Sequence, residues 1–303
     1  MDTHYLTYIL TIADRRNMTK AARELFVSQS SLSQYLSKLE QELGTSLFFR
    51  ARGELIPTPA GELYLKAARQ VLSIKNQLYK DISALENRGS IAIGTTSQFG
   101  LGILAKVIPL FRSDYPDYTV EITEASHQML TKMILEERLD FGLMAANSMD
   151  SFPADTAEIL RVEEVLLAIP REHSYCSSNY HAPLSWEELT KFFQQDNFIL
   201  TRPGSTIFHL TELVFQACQF HPSTSCEINN IPTALKMAAA HGGITFVPES
   251  CINHDLPLVY IHLTPALSRL NLLVRKQSLA YGPAEKCFYS HILHHFQGED
   301  FIS

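Results

Sequence analysis

Leu32, Leu36, Leu39 and Leu43 step along the chain by four, three and four residues, a spacing that lines one side of an α-helix and no face of a strand. Ser28 ahead of the row can accept from the orphan N–H groups of a first turn, and Gly44 behind it supplies the left-handed residue that ends a helix. Such a helix must bury its leucines against neighbours. Two preceding patterns provide them: Tyr5, Leu6, Ile9, Leu10 and Ile12 at helical spacing, then a helix from Lys20 to Phe26, capped by Asn17 or Thr19. The second helix presents Ala21, Ala22 and Leu25, small enough for close crossing. The last two helices, joined by a tight turn, make a helix-turn-helix.

Away from the leucines lie Gln29, Ser30, Ser33, Gln34, Ser37 and Lys38. Glutamine can engage an adenine edge bidentately and serine can donate or accept at most bases, so a helix laid in a DNA major groove wants such residues in its first turns. The N–H groups near Ser28 to Ser31 can also hold a phosphate. A solvated amphipathic helix has the same polar face, and the following segment decides between the two. In "LFFRARGELIPTPAG", Leu47 to Gly61, Arg50 and Arg52 flank a turn at Gly53, and Leu55 and Ile56 return as a short strand stopped by Pro57 and Pro59. A two-stranded wing with arginines at its tip can reach phosphates or the minor groove. Residues 1–60 hold seven Lys/Arg against six Asp/Glu, a local +1 in a chain of net charge −7, which places any polyanion-binding surface at the front.

The run "MTKAARELFVSQSSLSQYLSKLEQELGTSLFFRARGELIPTPAG" resembles the DNA-binding domain of the LysR-type transcriptional regulators through its T-x-A-A, V-S-Q-x-x-L-S, L-E-x-E-L-G-x-x-L-F-x-R and T-P-A-G segments. By that resemblance Gln29, Ser30, Ser33, Gln34 and Arg52 match positions that touch DNA. Together with Ser28, Ser31, Lys38 and Arg50 they are the expected DNA-binding residues. Ser30 stands where family members often have proline and Gln34 where they often have a basic residue.

Beyond Pro59 and Gly61 neither proline nor glycine recurs until after Asn87, and two apolar rows run through this stretch. One is Leu65, Ala68 and Leu72; the other, Val71, Ile74, Leu78, Ile82 and Leu85, steps by three, four, four and three like a coiled-coil seam. A helix of this length, about 40 Å, exceeds what one small domain needs for closure, so it is expected to pair with a second copy. The resemblance implies a homodimer, commonly a dimer of dimers.

"NRGS", Asn87 to Ser90, starts an alternation of strands and helices: strands 91–96, 118–123 and 139–145, helices Gly102–Tyr115 and Gln128–Glu137, and a similar series from Val165 to a last helix Pro283–Phe296. Here "ERLDFGLM" and "MAAAHGGITFVPES" look like segments of the LysR effector domain, whose shape is that of periplasmic solute-binding proteins. The expected organisation is a winged helix-turn-helix domain of all-α type (1–58), a linker and dimerisation helix (59–87) and a two-lobed α/β effector-binding domain (88–303), with lobe I at 88–161 and 264–303 and lobe II at 162–263.

Polar residues after strand ends mark the expected effector site: Thr95, Thr96, Ser97, Gln98, Ser126, Thr201, Arg202 and Ser205. Hydroxyls and N–H groups at helix starts suit an anion, and Arg202 can fork onto a carboxylate. Thr96 matches a family effector contact most directly, while Ala145 stands where some anion-binding members carry a hydroxyl. The partners implied are double-stranded DNA, a small anionic effector of unspecified identity, and RNA polymerase if the protein activates. No nucleotide-binding glycine motif, nucleophile elbow or paired carboxylates occur, so neither catalysis nor a cofactor is expected. No apolar run approaches a membrane span, and a cytoplasmic location follows. His291, His294 and His295 read as a solvated helix face, and Cys218 and Cys226 lack neighbouring cations that would activate a thiol. The competing reading is a solute-binding module whose front domain serves association.

Overall fold

The computed structural model describes residues 3–84, 88–96, 98–153, 155–178, 183–277 and 281–299, and the chain divides into two compact units, 1–89 and 90–303.

The first unit runs α1 (His4–Arg15), α2 (Met18–Glu24), α3 (Gln29–Leu43), β1 (Phe48–Ala51), β2 (Glu54–Pro57) and α4 (Pro59–Ala84). Asn17, not Thr19, caps α2 by accepting from the Lys20 N–H, which starts that helix earlier than the sequence pattern suggests. Ser28 caps α3 through the Ser31 N–H, and Gly44 ends it at φ +68°. Leu32 and Leu36 join Ile9, Ile12, Ala21, Ala22, Leu47 and Leu65 in the core. The leucine row then leaves that core, and Leu43 is 45% exposed. Glu40 ties the end of α3 to the wing, its carboxylate accepting from the N–H groups of Leu47 (2.6 Å) and Phe48 (3.3 Å). Thr58 closes the other side, donating to the Ser46 carbonyl (2.7 Å) and accepting from the Gly61 N–H (3.0 Å). These contacts give the motif's Glu40 and Thr58 structural jobs. Gly61 has no room for more: a Cβ there would overlap the Leu47 carbonyl. Gly61→Ala is expected to cost about 1–3 kcal/mol through this overpacking, read as a lower thermal midpoint.

α4 separates the two apolar rows. Leu65 and Ala68 are buried at 1% and 2% exposure, whereas Ile74, Leu78 and Ile82 are 63%, 48% and 52% exposed. Leu85 lies outside the described residues.

In the second unit the strands are β3 (Gly89–Thr95), β4 (Tyr118–Glu124), β5 (Phe141–Ala146), β6 (Ala157–Pro170), β7 (Leu184–Ser185), β8 (Asn197–Leu200), β9 (Ser223–Glu227), β10 (Ile244–Pro248), β11 (Leu258–Ile261), β12 (Leu263–Thr264) and β13 (Leu267–Arg275). Helices α5 (Gln98–Asp114), α6 (His127–Leu135), α7 (Trp186–Phe193), α8 (Thr206–Ala217), α9 (Ile231–Ala239) and α10 (Pro283–Glu299) intervene. Nine strands form one curled sheet in the order β4-β3-β5-β13-β6-β10-β8-β9, with β11 on β6. β6 pairs antiparallel with β13 over its first half and with β10 and β11 over its second. One 14-residue strand therefore belongs to two lobes. Around β3, β5 and β13 the core is Ile91, Ile93, Phe111, Phe141 and Phe288 on one face and Leu130, Ile134, Met144 and Val274 on the other. Phe193, Phe198, Val214, Phe215 and Phe246 fill the second lobe. This is the two-lobed architecture of periplasmic binding proteins, with strand-to-helix turns of both lobes meeting where the strand order switches.

Candidate functional site

Gln29, Ser30, Ser33, Gln34, Ser37, Lys38 and Gln41 share one open face of α3 in the first unit. The structure thus brings together five of the nine expected DNA-binding residues on the helix itself. Ser28 and Ser31 sit at the start of α3 with their hydroxyl oxygens 2.7 Å apart, so both serve the cap. Arg50 on β1 and Arg52 in the turn (φ +51°) are exposed on the wing. Nothing apolar interrupts the α3 face, and its amides and hydroxyls can match base edges, the Ser30 hydroxyl while bonded to that of Ser28 (2.9 Å).

A cavity of about 290 Å³ opens in the second unit. Four helices begin on it: its lining includes Gln98 of α5, His127 and Gln128 of α6, Thr206 and Ile207 of α8, and Ile231 and Pro232 of α9. Helix N-termini carry unpaired N–H groups and the positive end of the helix dipole, so their convergence builds a site for negative charge. Of the expected effector residues, Thr96, Gln98, Ser126, Thr201 and Ser205 line it. Ser126 and Ser205 each cap their helix, accepting from Met129 and Phe208 N–H groups. Thr96 accepts from the Ala145 N–H (3.0 Å) and Ser205 donates to the Thr201 hydroxyl (2.9 Å).

Two expected residues do not line the cavity. Thr95 is fully buried and packs against Gly100, where a Cβ would overlap its hydroxyl; alternation along β3 turns it away from the side Thr96 occupies. Arg202 does not line the cavity: its N–H donates to Asn229 Oδ1 (2.8 Å) and its side chain is exposed. Ser97 lies outside the described residues.

The cavity's cation is Arg269, on β13 and only 4% exposed. Its Nε donates to Glu163 Oε1 (2.6 Å) and its Nη1 to Thr206 Oγ1 (3.2 Å). Nη2 lies against the same carboxylate and is shielded from solvent, so Glu163 and Thr206 hold the guanidinium in place. Glu163 is itself fully buried and also accepts from the Ser250 N–H (3.2 Å). His127 lines the cavity with an unpartnered, buried Nδ1, and burial holds this imidazole below its usual pKa, against a smaller opposing effect of its bond to the Ala145 backbone. It is therefore neutral near pH 7, one donor and one acceptor. Asn229, Asn230 and the exposed Glu124 complete the polar lining. None of Arg269, Glu163, His127 and Asn229 figured in the sequence reading, and Asn230, the cap of α9, was its nearest recoverable signal.

Residues 84–297 match the LysR substrate binding domain, and residues 3–62 match the lysR family of bacterial regulatory helix-turn-helix proteins. The chain belongs to the LysR family. It is a transcriptional regulator with a DNA-binding helix-turn-helix and a domain for a small-molecule effector, and not an enzyme. The match over the front domain removes the competing reading of a solute-binding module with an association domain. A probable RuBisCO transcriptional regulator of Trieres chinensis is 26% identical over 306 residues, covering 95% of this chain and 94% of that protein. Full-length OxyR of Pseudomonas aeruginosa superposes with a TM-score of 0.64 at 22% identity, over 98% of this chain and 95% of that one. CbnR, solved in full length with its target DNA, gives 0.55 at 21% identity over 97% and 99%. Among the described residues of this LysR regulator no helix is long and apolar enough to cross a membrane.

Proposed function

We propose that this regulator responds to a small organic anion held in the cavity of its second unit. The convergence of four helix N-termini with Arg269 on one cavity of about 290 Å³ carries the reading, since it supplies donors and positive potential on a lining whose carboxylate, Glu124, sits at the exposed end of β4. Thr96, Gln98, Ser126, Thr201 and Ser205 orient the ligand's polar atoms, and Ile207, Ile231 and Pro232 take its carbon skeleton. Ligand-driven closure of the lobes about β6 and β13 alters the pairing of protomers and with it the spacing of two DNA-bound α3 helices. The exposed row Val71, Ile74, Leu78 and Ile82 supports α4 as the seam of a homodimer, which can pair again into a dimer of dimers. The protein works in the cytoplasm with its DNA, and as an activator it would meet RNA polymerase there.

On DNA, α3 reads bases through Gln29, Ser30, Ser33 and Gln34, the wing holds the backbone through Arg50 and Arg52, and Ser28, Ser31 and Lys38 contact phosphate. Fluorescence anisotropy with the duplex upstream of the protein's own gene, against a shuffled duplex, tests this. Preference for the first by about 10³ or more is expected. Gln34→Ala should cost about 1–3 kcal/mol on the operator alone, whereas Arg52→Ala should weaken both duplexes alike and lower the salt slope by about one. Equal losses on both duplexes for Gln34→Ala would remove base reading from α3. Calorimetric titration with small carboxylates and their neutral amides tests the cavity; amides binding as tightly as acids would overturn an anionic effector.

A further inference from the structure

Far from the effector cavity, the last residue of α5 meets two residues one turn apart on α10. Asp114 Oδ2 accepts from His291 Nε2 at 3.0 Å and from Cys287 Sγ at 3.4 Å, and the three atoms lie within 4.8 Å of one another. From the Asp–Cys–His cluster at this helix junction we infer a binding site for a zinc-class divalent transition metal.

The spacing suits the ion. With zinc bonds of about 2.0–2.3 Å at tetrahedral angles, ligand atoms stand about 3.3–3.6 Å apart; Asp114 Oδ2 is within a few tenths of an ångström of that from both Cys287 Sγ and His291 Nε2, and the third separation, under 4.8 Å, closes by side-chain rotation. Thiolate, imidazole and carboxylate together select zinc or cobalt(II) over magnesium or calcium, which require oxygen. The frame is rigid: Phe111 of α5 and Phe288 of α10 pack edge to face with centroids 5.1 Å apart in the buried core beneath the cluster. Asp114 also closes α5 at the negative end of the helix dipole, where a carboxylate is disfavoured unless a cation attends it. Its side chain is 53% exposed, leaving a fourth position for water. In the metal-free protein the thiol donates its hydrogen to Asp114; on binding, that proton leaves to solvent and the sulfur coordinates as thiolate. The spacing of His291, His294 and His295 is compatible with zinc but reads as a solvated face in the sequence, because the acidic partner of His291 is 177 residues away and Cys287, one turn before it, is not joined to it.

Cobalt(II) titration of the full-length, chelator-treated protein is the test. One equivalent is expected to produce thiolate-to-cobalt charge transfer with the intense visible bands of tetrahedral cobalt, zinc should displace it, and zinc should raise the thermal midpoint. Cys287→Ser should abolish the charge-transfer band. His291→Gln, at a partly exposed position, should weaken cobalt binding at least tenfold and cancel the zinc-dependent rise in midpoint, and Cys218→Ser should change neither. Absence of the band from the wild-type protein, or an undiminished band in Cys287→Ser, or unchanged affinity in a folded His291→Gln, would overturn the site.

Discussion

Asp140→Ala is expected to lower the unfolding free energy of the second unit by about 3–5 kcal/mol, the cost of leaving one member of a buried ion pair uncompensated. Asp140 is 2% exposed and Lys276 6%. Asp140 Oδ1 accepts from Lys276 Nζ at 2.6 Å, and Oδ2 accepts from the Ala92 N–H at 2.9 Å. The backbone repeats the connection, Asp140 N–H to the Ala92 carbonyl (2.7 Å) and Lys276 N–H to the Asp140 carbonyl (3.1 Å). One carboxylate thus joins the starts of β3 and β5 to the end of β13, strands distant in sequence. Removing it takes the carboxylate from a buried ammonium group and the acceptor from the Ala92 N–H. Urea unfolding followed by circular dichroism measures the loss. A cost below about 1 kcal/mol would mean that water reaches Lys276 in the variant. The helix-turn-helix belongs to the other unit, so operator affinity measured below the unfolding transition should change far less than stability does.

Asp140 also marks how far the sequence could be read. It falls in the "LDFGLM" segment that resembles the family, yet its partner could not be named, because Lys276 lies 136 positions on and follows a strand whose pattern is broken. β13 carries Arg269 and Asn271 among its apolar residues, and both are buried, so alternation fails exactly where polar groups turn inward. The front unit was far more legible: its contacts are local, its helices are capped by side chains adjacent in sequence, and the two rows of α4 separate by helical periodicity alone. α7 was missed although Ser185 and Glu188 form a complete capping box around its start, a local signal that could have been found. At the cavity, helix caps place Ser126 and Ser205 on the lining, while Thr95 and Arg202 lie off it for a different reason. Which of two adjacent residues faces a cleft depends on strand parity and turn direction, and neither is fixed until the sheet register is known.

The largest functional effect is expected from Arg269, and it can be separated from folding. Arg269→Met alone should cost about 3–5 kcal/mol, since Glu163, 0% exposed, would keep its charge with only the Ser250 N–H to answer it. Combining Arg269→Met with Glu163→Gln removes both charges, and the amide oxygen at 163 can still accept from Ser250. Stability of the double variant should return to within about 1–2 kcal/mol of wild type, because a neutral pair escapes most of the desolvation penalty. Effector response should not return. With the guanidinium gone, the helix N-termini remain but the positive charge on the cavity wall does not, so a carboxylate that shifts operator binding of the wild-type protein should leave the double variant unmoved. A folded double variant with an intact response would show that Arg269 serves only to neutralise Glu163, and the four helix N-termini would then have to hold the anion without it.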